Sequence, residues 1–265
     1  MRALRALIVL YTVVSGAAQP AVSDDDALLT RSRALYDAPF TRGLISFDCE
    51  LNFDWRQHFV DVLGSLPAAA TPTIERLQQV HHRVIVDRSG AVVSAIPKAP
   101  ALTAFAHAAD LEQTFTTVAS SGLNAWLPSS TNVLLPVGST KSSWEKTDVG
   151  YKLTMKGPGL DAQLLLTDDL RLTGGVTELP QSMRFTTVFT PGPDGFLLSS
   201  VTTGDTTDPS ASKEATFAYT YQTLEGFQIP FHVTVTSASS VTWHYALADC
   251  KAVKGVIIES GPSRH

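Results

Sequence analysis

Two histidines near the C-terminus, His232 and His244, fall on the polar positions of two successive alternating segments. A three-residue turn near Ser237 to Ser239 would set them directly opposite each other. A cross-strand imidazole pair binds a transition metal when a third ligand joins it. Without that ligand they are two solvent-facing side chains. Cys49 and Cys250 are the two cysteines of the chain, and two allow one intramolecular pairing. Neither sits in a CxxC spacing or beside a flanking motif. A structural disulfide joining the first strand to the last is therefore favoured over a nucleophile or a metal pair. Asp48, Glu50 and Asp54 form an acidic stripe along one segment. It reads either as a calcium site or as a solvated strand face, and no EF-hand-like loop accompanies it. His81 and His82 adjoin the end of a helical stretch, where an imidazole suits the helix dipole.

A last group is apolar. Tyr219, Phe227, Phe231, Trp243 and Tyr245 lie on the alternating positions of the closing segments. They form either a core packed against helices or the lining of a pocket for a hydrophobic ligand. Aromatics with polar tips suit a pocket that holds apolar chains and meets water at its mouth. The chain has no GxSxG elbow, HExxH helix, P-loop or dinucleotide fingerprint. No cofactor is expected, and no acid, base and nucleophile set can be assembled from spacing.

The elements that must position these residues follow from periodicity and composition. The chain has 265 residues, 44% of them hydrophobic and 17% charged, enough apolar material for a sizeable core. A formal charge of -5 gives no electrostatic footprint for nucleic acid. Residues 1–18 read as a secretory signal: Arg2 and Arg5, then the apolar run Ala6 to Val14, then Ser15-Gly16-Ala17-Ala18. The apolar run is too short to span a bilayer, and no later segment is apolar enough. The expected product is a periplasmic or secreted protein with one α+β domain over residues 19–265.

Asp24, Asp25 and Asp26 suit the start of a first helix. Residues 44–55 alternate strictly, with Ile45, Phe47, Cys49, Leu51, Phe53 and Trp55 on one face. Short helices are expected over 56–66 and around Ile74, Leu77 and Val80. A hairpin turns at Arg88-Ser89-Gly90. The longest helix, 107–126, takes Asp110 as its cap and breaks at Gly122. Residues 128–143 read as a long surface loop. From 144 onward alternating segments and short turns describe an antiparallel meander. Two to four helices and about nine strands give an α+β class. A sheet that long must curl, here into a half-barrel with helices on its apolar face.

This order of elements resembles the lipoprotein-carrier-like fold (LolA and LppX type) of exported bacterial proteins. The resemblance rests on Phe185-Thr186-Thr187-Val188-Phe189, Gly195-Phe196-Leu197-Leu198, Phe217-Ala218-Tyr219-Thr220-Tyr221 and Gly226-Phe227-Gln228-Ile229-Pro230. The last two stretches look like the late hairpin of the family, with a proline near an edge. The resemblance implies a half-barrel whose hollow takes acyl chains. The family's lid-holding arginine has no counterpart in the first strand, whose outward residues are acidic; Arg42 stands just before it. The expected function is binding of a lipid or other hydrophobic ligand, without catalysis. The alternatives are an envelope interaction protein with a solid core, or an exported metal-dependent hydrolase using His232 and His244.

Overall fold

The computed structural model describes residues 24–95, 108–132, 135, 141–158, 160–178, 182–205, 215–237 and 239–255. The segment read as a secretory signal lies outside them. The described residues form four α-helices and twelve strands. In chain order these are α1 (Asp24–Arg33), β1 (Leu44–Phe53), α2 (Trp55–Leu63), α3 (Thr71–Leu77), β2 (His82–Asp87), β3 (Gly90–Ala95) and α4 (Ala108–Ser130). Then follow β4 (Lys141–Thr147), β5 (Gly150–Gly157), β6 (Leu160–Leu166), β7 (Leu172–Thr177), β8 (Met183–Gly192) and β9 (Gly195–Asp205). The chain closes with β10 (Ala215–Leu224), β11 (Phe227–Thr236) and β12 (Thr242–Lys254). All twelve strands join one curled, unclosed antiparallel sheet in the order β3-β2-β1-β12-β11-β10-β9-β8-β7-β6-β5-β4. Short connections make each strand from β4 to β12 pair with the next. β1 then docks on β12, so the N-terminal strands extend the meander instead of closing it.

Helix α4 lies in the concave face. Phe115, Ala119, Leu123, Trp126 and Leu127 are its buried side, spaced by three and four residues as an amphipathic helix requires. Gly122 does not break this helix. A Cβ there would stand 2.3 Å from the Tyr245 hydroxyl and 3.1 Å from Val235. Glycine thus serves close packing, which outweighs its propensity cost of about 1 kcal/mol. The helix is already formed at Ala108, ahead of the expected cap at Asp110.

α2 and α3 cover one end of the half-barrel through Trp55, Ile74, Leu77 and Val80, which pack with Phe115. Asp54 caps α2 by accepting the Gln57 amide at 2.9 Å. Toward the other end, α1 and the turn Pro39–Arg42 insert Tyr36 and Phe40 into the main core. Ser32 donates to Leu170 O at 2.9 Å. The Arg42 guanidinium bridges Asp37 and Asp194 at 2.6 and 2.8 Å. Burial raises the pKa of Asp37, against the opposing effect of Arg42.

Three local readings change. β4 starts inside the stretch expected to be a loop. As an edge strand with only Trp144 packed against the core, it never shows the alternation of a half-buried strand. Ile45, expected on the buried face, is 50% exposed, because a register shift between Leu44 and Ser46 hands its place to Leu44. Pro230 lies on a central strand. It stands beside the bulge that sets Phe231 and His232 against Thr220, a place where a missing N–H is tolerated.

Candidate ligand-binding cavity

Between α4 and the middle of the sheet, small residues interrupt both facing walls, and a space is left between them. On β6, β7 and β8 the row Leu164–Gly175–Phe185 has no side chain at its centre. The next row, Ala162–Thr177–Met183, is also small at two of its three places. Opposite, α4 presents Ser121, Asn124, Ala125 and Pro128, one helical stripe by spacing. The resulting cavity has a volume of about 500 Å³. Met155, Leu160, Leu198, Val201 and Phe217 complete most of its wall. No charged side chain lines it.

The polar atoms of the wall are largely occupied. Thr187 donates to Leu172 O at 3.1 Å and Thr203 to Ala215 O at 3.5 Å. The Asn124 side-chain oxygen accepts the Ala91 amide at 2.9 Å, which ties α4 to the edge strand β3. The surface offered to a guest is therefore mostly methyl, methylene and ring carbon. Such a lining binds by burial of apolar area and gives little help to a charged group.

None of the five aromatics singled out from the sequence lines this cavity. Tyr219 and Tyr245 are buried between the sheet and α4. Their hydroxyls donate to Gly122 O at 2.8 Å and Ala119 O at 3.1 Å. Trp243 lies in the cluster that α2 and α3 cover, stacked on His58 with centroids 3.9 Å apart. Phe227 is buried beneath the Arg42 and Lys254 side chains, 5.7 and 5.6 Å from its ring centre. Phe231 leans on His232 at 4.0 Å, because the bulge places the two together. The signal for this cavity was the small-residue stripe of α4 facing Ala162 and Gly175. Small residues carry no periodic hydrophobic signal, so the aromatic rows drew attention instead.

His232 and His244 are not opposite each other. The turn is centred on Ser239, so His232 pairs with Ala246 and His244 with Thr234. His244 holds Asp61 of α2 through Nε2 at 2.9 Å, and this bond keeps the Asp61 carboxyl below its usual pKa. Among the described residues no three His, Cys, Asp or Glu side chains are placed to hold a metal ion. The acidic stripe is a partnered strand face. Asp48 pairs with Arg83 and Glu50 with His81, while Asp54 caps α2. His82 is buried with its ring edge-on to Phe53 and Phe115, so it is a core residue.

Cys49 and Cys250 form a disulfide between residues 201 apart in sequence. Tyr245 and Leu247 set the inward parity of β12, by which Cys250 would face out. Cys49 opposes both Asp249 and Cys250 across a bulge, with Asp249 at φ 47°. That extra residue turns Cys250 inward. No helix of the described residues is long and apolar enough to cross a membrane. No protein-family model matches the chain, and neither a curated protein nor a solved structure matches it.

Proposed function

We propose that this protein is an exported, non-enzymatic binder of a lipid or similar hydrophobic molecule, held between α4 and strands β5 to β10. The carrying observation is the apolar cavity of about 500 Å³ with no charge in its lining. Its size falls in the range of small-molecule sites. A disulfide between β1 and β12 suits an oxidising compartment. The ligand is expected to lie with its apolar part inside and any charged group at the mouth, since the lining offers charge no partner.

The test is uptake of a fluorescent long-chain fatty acid by protein purified without detergent, beside the variant Ala162→Phe. Ala162 is buried and faces the cavity. A phenyl ring there projects into the cavity, so the variant should fold with an unchanged melting temperature and lose uptake at least tenfold. Equal uptake by both proteins, or none by either, would overturn the proposal. Strong destabilisation by Ala162→Phe would mean that the space is closed core.

A further inference from the structure

The cavity between α4 and the sheet has two unlike ends. At one stand Ser121 and Asn124 of α4, both exposed. Facing them is the row Ala162–Thr177–Met183, in which Met183 is 37% exposed. This end is the mouth. One row further in, Leu164 and Phe185 are buried. Pro128 lies seven residues of helix beyond Ser121, a run of about 10 Å. There it shares with Tyr36, Leu172 and Phe189 a gap of only about 10 Å³, so that end is shut. The unspent hydrogen-bonding groups of the lining gather at the mouth. Among the described residues the Ser121 and Thr177 hydroxyls have no protein partner. Asn124 spends its oxygen on the Ala91 amide, which leaves its NH2 group to donate. Further in, Thr187 already donates to Leu172 O. No cation stands with the three free groups. Lys156 and Arg184 follow the lining residues Met155 and Met183, so alternation puts them on the outer face, where Lys156 pairs with Asp161.

We infer that the guest is a neutral acyl lipid with an uncharged, oxygen-bearing head, an acylglycerol in chemical class, and that Ser121, Asn124 and Thr177 select for that head. The inference rests on the reading of the cavity as a lipid site and adds which lipids it takes. An ester or hydroxyl head exchanges water for these three groups as it enters, and its chain then reaches the shut end. A carboxylate or phosphate head finds no cation in the lining and must keep its water outside the rim. Its chain rides higher as a result, and each methylene left outside costs about fourfold in affinity. A net charge of -5 gives an anionic head no compensation at longer range. Two stranded methylenes, or the loss of two neutral hydrogen bonds, amount to about tenfold in favour of the uncharged lipid.

The test uses diphenylhexatriene, a fluorescent hydrocarbon with no head, as the probe of the full chain. Monopalmitoylglycerol and palmitate, which share one acyl chain, then compete for it. Wild type should take up the probe, and the glyceride should displace it at a concentration about tenfold below that of palmitate. In Ser121→Ala/Thr177→Val, two near-isosteric changes that remove only hydroxyls, that margin should shrink to about threefold or less. Uptake of the headless probe and the melting temperature should stay as in wild type. Palmitate displacing the probe as well as the glyceride does, or a margin that survives in the double variant, would overturn the inference and leave the cavity reading standing. No uptake of the probe by wild type, or equal uptake by Ala162→Phe, would overturn the cavity reading and this inference with it.

Discussion

Tyr219 and Tyr245 hold α4 against the sheet through hydroxyls donated to helix carbonyls, and Tyr221 donates to Leu198 O at 2.6 Å. Burial pushes all three phenols well above their ordinary pKa. In the unfolded chain they lose their protons near pH 10; in the folded one they keep them. The unfolded state then binds fewer protons, so stability should fall as pH climbs through about 10. A spectrophotometric titration should show these three phenols ionising only on unfolding. Gly122 is the second residue with a sharp prediction. Gly122→Ala should destabilise by about 1–3 kcal/mol in spite of its better helix propensity, because its Cβ meets the Tyr245 hydroxyl. Tyr245→Phe should cost about 1 kcal/mol. In a denaturation cycle the double variant should cost less than the sum, since one change removes the atom the other strikes. Strict additivity would mean that the contact with Val233 and Val235 sets the cost.

Between elements, the decisive junction is β1 on β12. The chain must bring its first and last strands together before the sheet is continuous, and the disulfide holds that closure. A loop of this length should contribute up to about 5 kcal/mol through the unfolded state. Cys49→Ala/Cys250→Ala should lower the urea midpoint accordingly, and a reductant should then have no further effect on it. The bulge beside the bridge makes a separate prediction. Asp249 has φ 47°, a region that Asp and Gly enter more easily than β-branched residues. Asp249→Gly should leave stability within about 0.5 kcal/mol, while Asp249→Val should cost about 1–2 kcal/mol. α2 is tied to β12 by the pair of His244 and Asp61. Because the Asp61 carboxyl is depressed, its contribution is present above the ordinary carboxylate value and lost as pH falls through the lowered one.

For the whole molecule, the open sheet is what leaves room for a guest. A flat sheet would expose its apolar face, whereas the curl wraps that face around α4. The end carrying Phe40, Phe47 and Trp126 is filled by large side chains. The middle, where small residues face small residues, is not. If the cavity takes a ligand, binding must raise global stability by mass action, about 2.7 kcal/mol at a hundredfold excess over Kd. Fatty acid should therefore raise the melting temperature of wild type in proportion to the logarithm of its concentration, and leave Ala162→Phe unmoved. A rise of equal size in both would place the binding elsewhere.

Alternation in residues 44–55 and from 149 onward determined the strands, and spacing by three and four determined α4. The sheer length of the meander determined that the sheet would curl. These are local consequences of period and chirality, and they were legible residue by residue. The two cysteines admitted only one pairing, but the bulge at Asp249 in the tertiary structure decided that they meet. The tertiary structure decided what depends on register and on the difference between facing walls. The centring of one turn on Ser239 separated His232 from His244. Single extra residues at Phe231-His232 and at Asp249-Cys250 turned one aromatic away from the expected row and one cysteine into it. A one-residue slip reverses a side chain's face while leaving composition and periodicity unchanged. The cavity was hidden for a related reason. An empty space is a sum over residues far apart in sequence, here Ala125 against Ala162 and Gly175, and no window along the chain contains both of its walls.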